Sequence, residues 1–192
     1  MKKIITLILL MMLVTIYATA DQYIYSKGKC NQIISSKQAT VEYELRYDDT
    51  NDDIWFVRNV GNSFSAFLIT KKNMANVRNA VDKYFEWEKI AVKNQKTIQK
   101  DMPDANFDSQ EILSAYGQNF NSEVNIYFTF FSQNAKLHQF VIRGKKLTGN
   151  MDDYYFSKSQ VEEFSKLISE EKITEFKNKI AAQKQKENDL FN

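Results

Sequence analysis

Residues 40–60 read TVEYELRYDDTNDDIWFVRNV, and this stretch decides the fold class. Val41, Tyr43, Leu45 and Tyr47 alternate with Glu42, Glu44 and Arg46. A period of two puts the apolar set on one face of a strand and the charged set on the other. Asp48, Asp49, Asp52 and Asp53, with Thr50 and Asn51, form a polar turn with neither helix nor strand period. Residues 54–60 are β-rich and apolar on both faces, the mark of a more central strand. Two strands joined by so short a turn predict an antiparallel hairpin.

Gly61, Asn62 and Ser63 make a further turn, and residues 64–69 a third strand. Thr70 is placed to cap a helix, because its hydroxyl can accept from an early backbone N–H. Met74, Val77, Val81, Tyr84 and Phe85, with Ala91 or Val92, then recur at three- and four-residue steps, which predicts a helix over residues 71–96. Arg78 and Asp82 add an i,i+4 pair on its wet face.

Residues 96–106 are polar and hold Pro103, the single proline, so they mark the boundary between a first unit (21–100) and a second (101–192) of one compact body. Ser109, Ile112, Leu113 and Tyr116 predict a short capped helix. Residues 123–131 and 137–143 read as paired strands around Ser132 and Asn134, and residues 154–156 as a short strand. Ser157 is a second helix cap, followed by Val161, Phe164, Leu167 and Ile168 on one face. Ile173, Phe176 and Ile180 form a later stripe about a quarter turn out of phase. The helix therefore kinks, breaks near Ser169 or wraps onto another surface, and residues 184–192 form a solvated tail.

Thr70, Met74, Val77 and Val81 map onto Ser157, Val161, Phe164 and Ile168 at one offset of 87 residues. The expected fold is therefore α+β, an antiparallel sheet with two long amphipathic helices. With added strands at residues 22–26 and near Phe120, it becomes a tandem ββββα duplication. That order resembles the topology of Whirly and PUR folds, which bind single-stranded nucleic acid. The resemblance is one of topology, with no family motif behind it, and fold alone does not carry function.

Met1-Lys2-Lys3, an apolar run over residues 4–17 and Ala18-Thr19-Ala20 have the form of a secretory signal peptide cut before Asp21. The run is shorter than the roughly 20 residues of a spanning helix. No stable membrane span is expected once residues 1–20 are removed, and the location expected is periplasmic or secreted. Residues 1–20 hold two of the 26 basic residues and no acid, so residues 21–192 carry 24 of each sign. This balance removes any general pull toward nucleic acid, and none is expected as a partner.

One cysteine and one histidine exclude a disulfide framework, a thiolate zinc cluster and a multi-histidine metal site. The acidic turn lacks the alternation and the glycine of an EF-hand loop. No phosphate-binding glycine motif and no G-x-S-x-G elbow occurs. Nothing brings Cys30 and His138 together as a nucleophile and base. No cofactor, metal or catalytic residue is expected.

The largest chemical signal is aromatic: 14 Phe, 10 Tyr and 2 Trp. Most must build the core. Trp55, Tyr127, Tyr154 and Tyr155 are candidates for a face opposite it, and Trp87 leaves the main stripe of its helix. With Ile173, Phe176 and Ile180, these are the candidate ligand- or partner-binding residues. The expected function is an exported cell-envelope module of bacteria that binds a ligand or another envelope protein without catalysis. The alternative is a carboxylate-dependent hydrolase acting on envelope or extracellular material. Converging buried acids would mark the hydrolase, and a continuous aromatic patch the binder.

Overall fold

A computed structural model describes residues 22–34, 36–115, 118–134, 136–146 and 149–190. The expected signal peptide, the expected cut before Asp21 and Tyr116 lie outside the described residues. In chain order the elements are β1 (Gln22–Ile34), β2 (Lys37–Asp48), β3 (Asp53–Val60), β4 (Ser63–Ile69), α1 (Met74–Asn94), β5 (Ile98–Asp101), a 3-10 turn (Pro103–Ala105) and β6 (Phe107–Ala115). There follow β7 (Gln118–Ser132), β8 (His138–Lys146), β9 (Gly149–Asn150), β10 (Tyr154–Ser157), α2 (Lys158–Leu167) and α3 (Glu170–Asp189).

Eight of these strands close on themselves. Around the ring the order is β1, β2, β3, β4, β6, β7, β8 and β10, with β10 pairing back onto β1 and every pair antiparallel. β5 adds to the end of β7, and β9 to the end of β8. The inward positions carry aromatic rings in cross-strand register, such as Phe56 beside Phe67 and Phe130 beside Phe140. Rings also meet across the interior: Phe56 of β3 and Tyr154 of β10, three strands apart around the ring, lie edge to face at 4.9 Å between centroids. Gly28 supplies the space for the Tyr43 ring, since a Cβ there would run into the phenol.

The helices close one end of the barrel. Met74, Val77, Ala80, Val81 and Tyr84 of α1 and Val161 and Phe164 of α2 join the same buried cluster as the strand rings. Thr70 accepts from Asn73 N–H at 3.2 Å, and α1 starts at Met74, three residues later than expected. It ends where Gln95 takes a left-handed conformation at φ 50°. Ser157 and Gln160 form a reciprocal capping box on α2. Ser169 caps α3, accepting from Lys172 N–H at 3.2 Å.

The barrel corrects the expected fold. The chain does not form an open antiparallel sheet covered by two long helices in a ββββα repeat, and the likeness to Whirly and PUR topology falls with that reading. Pairing of β4 with β6, and of β10 with β1, merges all strands into one closed surface. The second long helix is two helices, because Ser169 leaves helical geometry and restarts the chain in a new direction. The segment expected as a short helix is strand β6. There the Ser109 hydroxyl donates to Leu68 C=O at 2.5 Å instead of capping. Its inward position Glu111 is polar, so the period of two is hidden from a search for apolar alternation.

The opposite end of the interior is polar. Arg58 Nη1 donates to Asp152 Oδ2 at 2.9 Å. Glu111 is 2% exposed; it accepts from Ser65 Oγ at 3.3 Å and Ser122 Oγ at 3.2 Å and pairs with Lys146. Burial raises the Tyr154 phenol far above its ordinary range. No helix among the described residues is long and apolar enough to cross a membrane.

Candidate functional site: a cleft on the outer face of the barrel

The site is built by alternation. In β8, Phe140 and Ile142 point inward, so Gln139, Val141 and Arg143 point outward. Antiparallel register then sets three rows across the outer surface. Gln99 of β5, Phe131 of β7 and Gln139 of β8 form one row. Asp101, Thr129, Val141, Tyr155, Asn31 and Thr40 form the next, through β5, β7, β8, β10, β1 and β2. Tyr127 faces Arg143 in the third, and Ile33 pairs with Gln38 on the β1–β2 hairpin beyond.

Outer residues of a small barrel ordinarily meet water. Here Thr129 and Val141 are fully buried and Gln139 nearly so, so the surface is concave at this point. The hairpin of β1 and β2 raises Ile33, Ser36 and Gln38 on one side, and β5 with the end of β7 raises Gln99, Phe131 and Gln133 on the other. The cleft between them has a volume of about 400 Å³ and also takes in Gln139, Arg143 and Tyr155.

Its electrostatics are local. Arg143 Nε donates to Asp153 Oδ2 at 3.1 Å, and Tyr155 OH donates to the same oxygen at 3.1 Å. Burial works against the Arg143 charge, but Asp153 and Tyr155 more than offset it and raise the guanidinium above its ordinary value. Burial first and the Asp153 charge second raise the Tyr155 phenol. The cleft therefore presents one neutralised ion pair, two aromatic rings and four glutamine amides. A larger cleft of about 690 Å³ lies over β4, β6 and β7, but its lining carries Asp108, Glu123, Lys145 and Lys146 and no aromatic ring.

The structure brings Tyr127 and Tyr155 onto one face. It turns Tyr154 to the opposite one, inside the barrel with Ser65 and Arg58 as neighbours. Trp55 lies on the outer side of β3 in a separate cluster with Val57 and Ala66, flanked by Phe64, Leu68 and Ile112. Trp87 of α1 packs edge-on to Phe130, with Lys100 Nζ 4.2 Å above its ring. Ile173, Phe176 and Ile180 are turned onto the barrel, where Phe176 meets Tyr25 at 4.9 Å and Tyr47 at 6.1 Å. The sequence reading missed Gln99, Phe131, Gln139 and Arg143. For Gln139 and Arg143 the signal is the period of two through residues 138–146, in which both look like ordinary wet-face residues; Phe131 is hidden in the aromatic run of β7 and Gln99 in the polar segment before Pro103.

The groups that chemistry would need are engaged elsewhere. Ser132 Oγ donates to Lys96 C=O at 2.8 Å and lies 3.0 Å from His138 Nδ1, so its proton is directed at a carbonyl and not at the imidazole. Burial pushes the Cys30 thiol up to about 12, the wrong direction for a nucleophile. In the acidic turn, Asp48 Oδ1 accepts from Thr50 N–H, Asp49 pairs with Lys184, and Asp53 accepts from Lys71 N–H. Asp52 accepts from Tyr47 OH and pairs with Lys71 and Lys177. Burial raises Asp52, but these hydrogen bonds outweigh it and hold the carboxyl at about 2. Among the described residues, no group of three or more His, Cys, Asp or Glu side chains is arranged to hold a metal ion.

Comparison with protein-family models, with curated proteins and with solved structures finds no match to this chain.

Proposed function

We propose that this protein is an exported, non-enzymatic binding module of a bacterial cell envelope, and that the outer cleft over β7, β8 and β10 holds an uncharged ligand rich in hydroxyl or amide groups. The observation that carries the reading is the lining of the cleft. Aromatic faces stack on the flat apolar side of a sugar ring or peptide group, and amides offer a donor and an acceptor each. The Arg143–Asp153 pair supplies polarity without net charge. Export is supported by the basic start, short apolar run and Ala18-x-Ala20 of residues 1–20, and the even charge of residues 21–192 speaks against nucleic acid as the ligand.

The hydrolase alternative needs two converging carboxylates. Asp153 is the acid beside this cleft, and it is bonded to Arg143 and Tyr155. Glu44, Glu88 and Glu111, the buried glutamates, are each paired with a lysine.

Calorimetric titration with a panel of neutral tetrasaccharides tests the reading. One or more should bind, Tyr155→Ala and Gln139→Ala should each weaken that binding at least tenfold, and the sugar should be recovered uncleaved. Absence of binding across the panel would remove the saccharide as ligand, and cleavage of the sugar would restore the hydrolase. N-terminal sequencing of exported protein should give Asp21.

A further inference from the structure

β5 stands at an end of the sheet order, paired with β7 on one side and with no other strand among the described residues. Its hydrogen bonding can be assigned residue by residue. Met102 N–H donates to Phe128 C=O at 2.9 Å, which continues the register of Ile98 with Ser132 through Asp101 with Thr129. Bonded and non-bonded pairs alternate in an antiparallel ladder, so Lys100 and Ile98 point their backbone groups at β7. Gln99 and Asp101 therefore direct N–H and C=O toward the open edge. All four residues of β5 are solvent-exposed.

The same edge borders an apolar pocket on the side facing α1. Trp87, Ile90 and Ala91 of α1, Ile98 and Lys100 of β5, and Phe130 of β7 enclose about 190 Å³, the size of one or two aliphatic side chains. Ile90 is 51% exposed and Ile98 42%, so apolar surface continues beyond the pocket mouth. Lys93 in the last turn of α1, Lys96 and Lys100 surround it with positive charge, all exposed.

We propose that the free edge of β5 is a docking strand for an extended, acid-flanked segment of a partner protein. That segment adds to the sheet through the backbone of Gln99 and Asp101 and sets an apolar side chain between Trp87 and Ile98. An added strand places alternate side chains on opposite faces, so a residue opposite Ile98 or Lys100 falls on the pocket side. Charge decides between occupants. Pairing of β5 with β5 of a second copy would bring the lysines of both copies together, whereas a segment carrying Asp or Glu at its ends meets them with opposite sign. The pocket lies on the other face of β5 from the outer cleft, with which it shares no lining residue; β5 reaches that cleft through the Gln99 side chain, and the inference does not rest on what the cleft binds.

The test uses the full chain and a capped heptapeptide, Glu-Thr-Leu-Thr-Leu-Thr-Glu, with a lysine-flanked counterpart. Amide exchange followed by NMR should slow at least tenfold at Gln99 and Asp101 in saturating acidic peptide. That peptide should bind at least tenfold more tightly than the basic one at low salt, and added salt should narrow the gap. Gln99→Pro removes an edge N–H without touching the β5–β7 bonds and should abolish binding. Ile98→Lys should weaken it at least tenfold while leaving any saccharide response of the cleft intact. Unchanged exchange at Gln99 and Asp101, equal affinity for both peptides, or undiminished binding by Ile98→Lys would overturn the proposal. So would protection of the same amides that grows with protein concentration and no peptide, which would mean self-pairing.

Discussion

The two ends of the barrel interior are packed by different physics. At the helix-closed end, Phe140 meets Tyr84 of α1 and Phe156 meets Phe164 of α2 ring to ring, and aromatic and aliphatic side chains fill most of the space. At the other end Arg58, Ser65, Glu111 and Lys146 face inward and are held by hydrogen bonds and ion pairs. The first end gains from area removed from water and dispersion between rings. The second must recover the cost of removing charge from water, and breaks even only while each partner stays in place. Stability should thus reside mainly at the helix end.

Three substitutions can break or sharpen that contrast. The largest effect is expected of Phe140→Ala, which opens a cavity among rings stacked from β7 to β10 and should cost about 3–5 kcal/mol in denaturant melts. Second comes Glu111→Gln, which leaves Lys146 facing a neutral partner and should cost about 2 kcal/mol. The double variant Glu111→Leu with Lys146→Met should recover most of that loss, since an apolar pair of similar volume avoids desolvation altogether. A double variant as unstable as the single would show the polar end to be a net source of stability. The smallest is Asp52→Asn on the surface of the helix end, at about 1–2 kcal/mol at pH 7. Asn tolerates the φ of 63° at this position, so the loss isolates the charge. The Asp52 carboxyl is held below its unfolded value, so its contribution is full above about pH 4 and is lost as pH falls through about 2. The gap between Asp52→Asn and the parent should close over that interval in melts at fixed ionic strength.

Legibility in the sequence follows the same divide. Strands and helices of the apolar end were readable because Tyr43, Leu45, Met74, Val77 and Val161 carry their period openly. The polar end was not. In β6 the inward Glu111 disguised a strand, and Tyr154, set down as a candidate for an outer face, faces the interior. Closure itself has no local signature, because it depends on β1 meeting β10 at Asn31 and Tyr155. The cleft was half visible. Tyr127 and Tyr155 stood out as aromatics, whereas Gln139 and Arg143 gain meaning only once curvature buries the ground between them.

That seam between β1 and β10 has a temporal consequence. Asn31 and Tyr155 are joined across 124 residues of the chain, and the strand that completes the ring is four residues long. Hairpins such as β1–β2 and β6–β7 can form as soon as their own residues are available, but the ring cannot shut until residues 154–157 arrive. A contact of such long sequence separation carries a large loop-closure cost and comes late in folding. Until then β1 is an open edge, able to pair with a neighbouring chain. Pulse-labelled exchange during refolding should find the amides of β10 among the last to gain protection, and a chain halted before residue 154 should aggregate through β1.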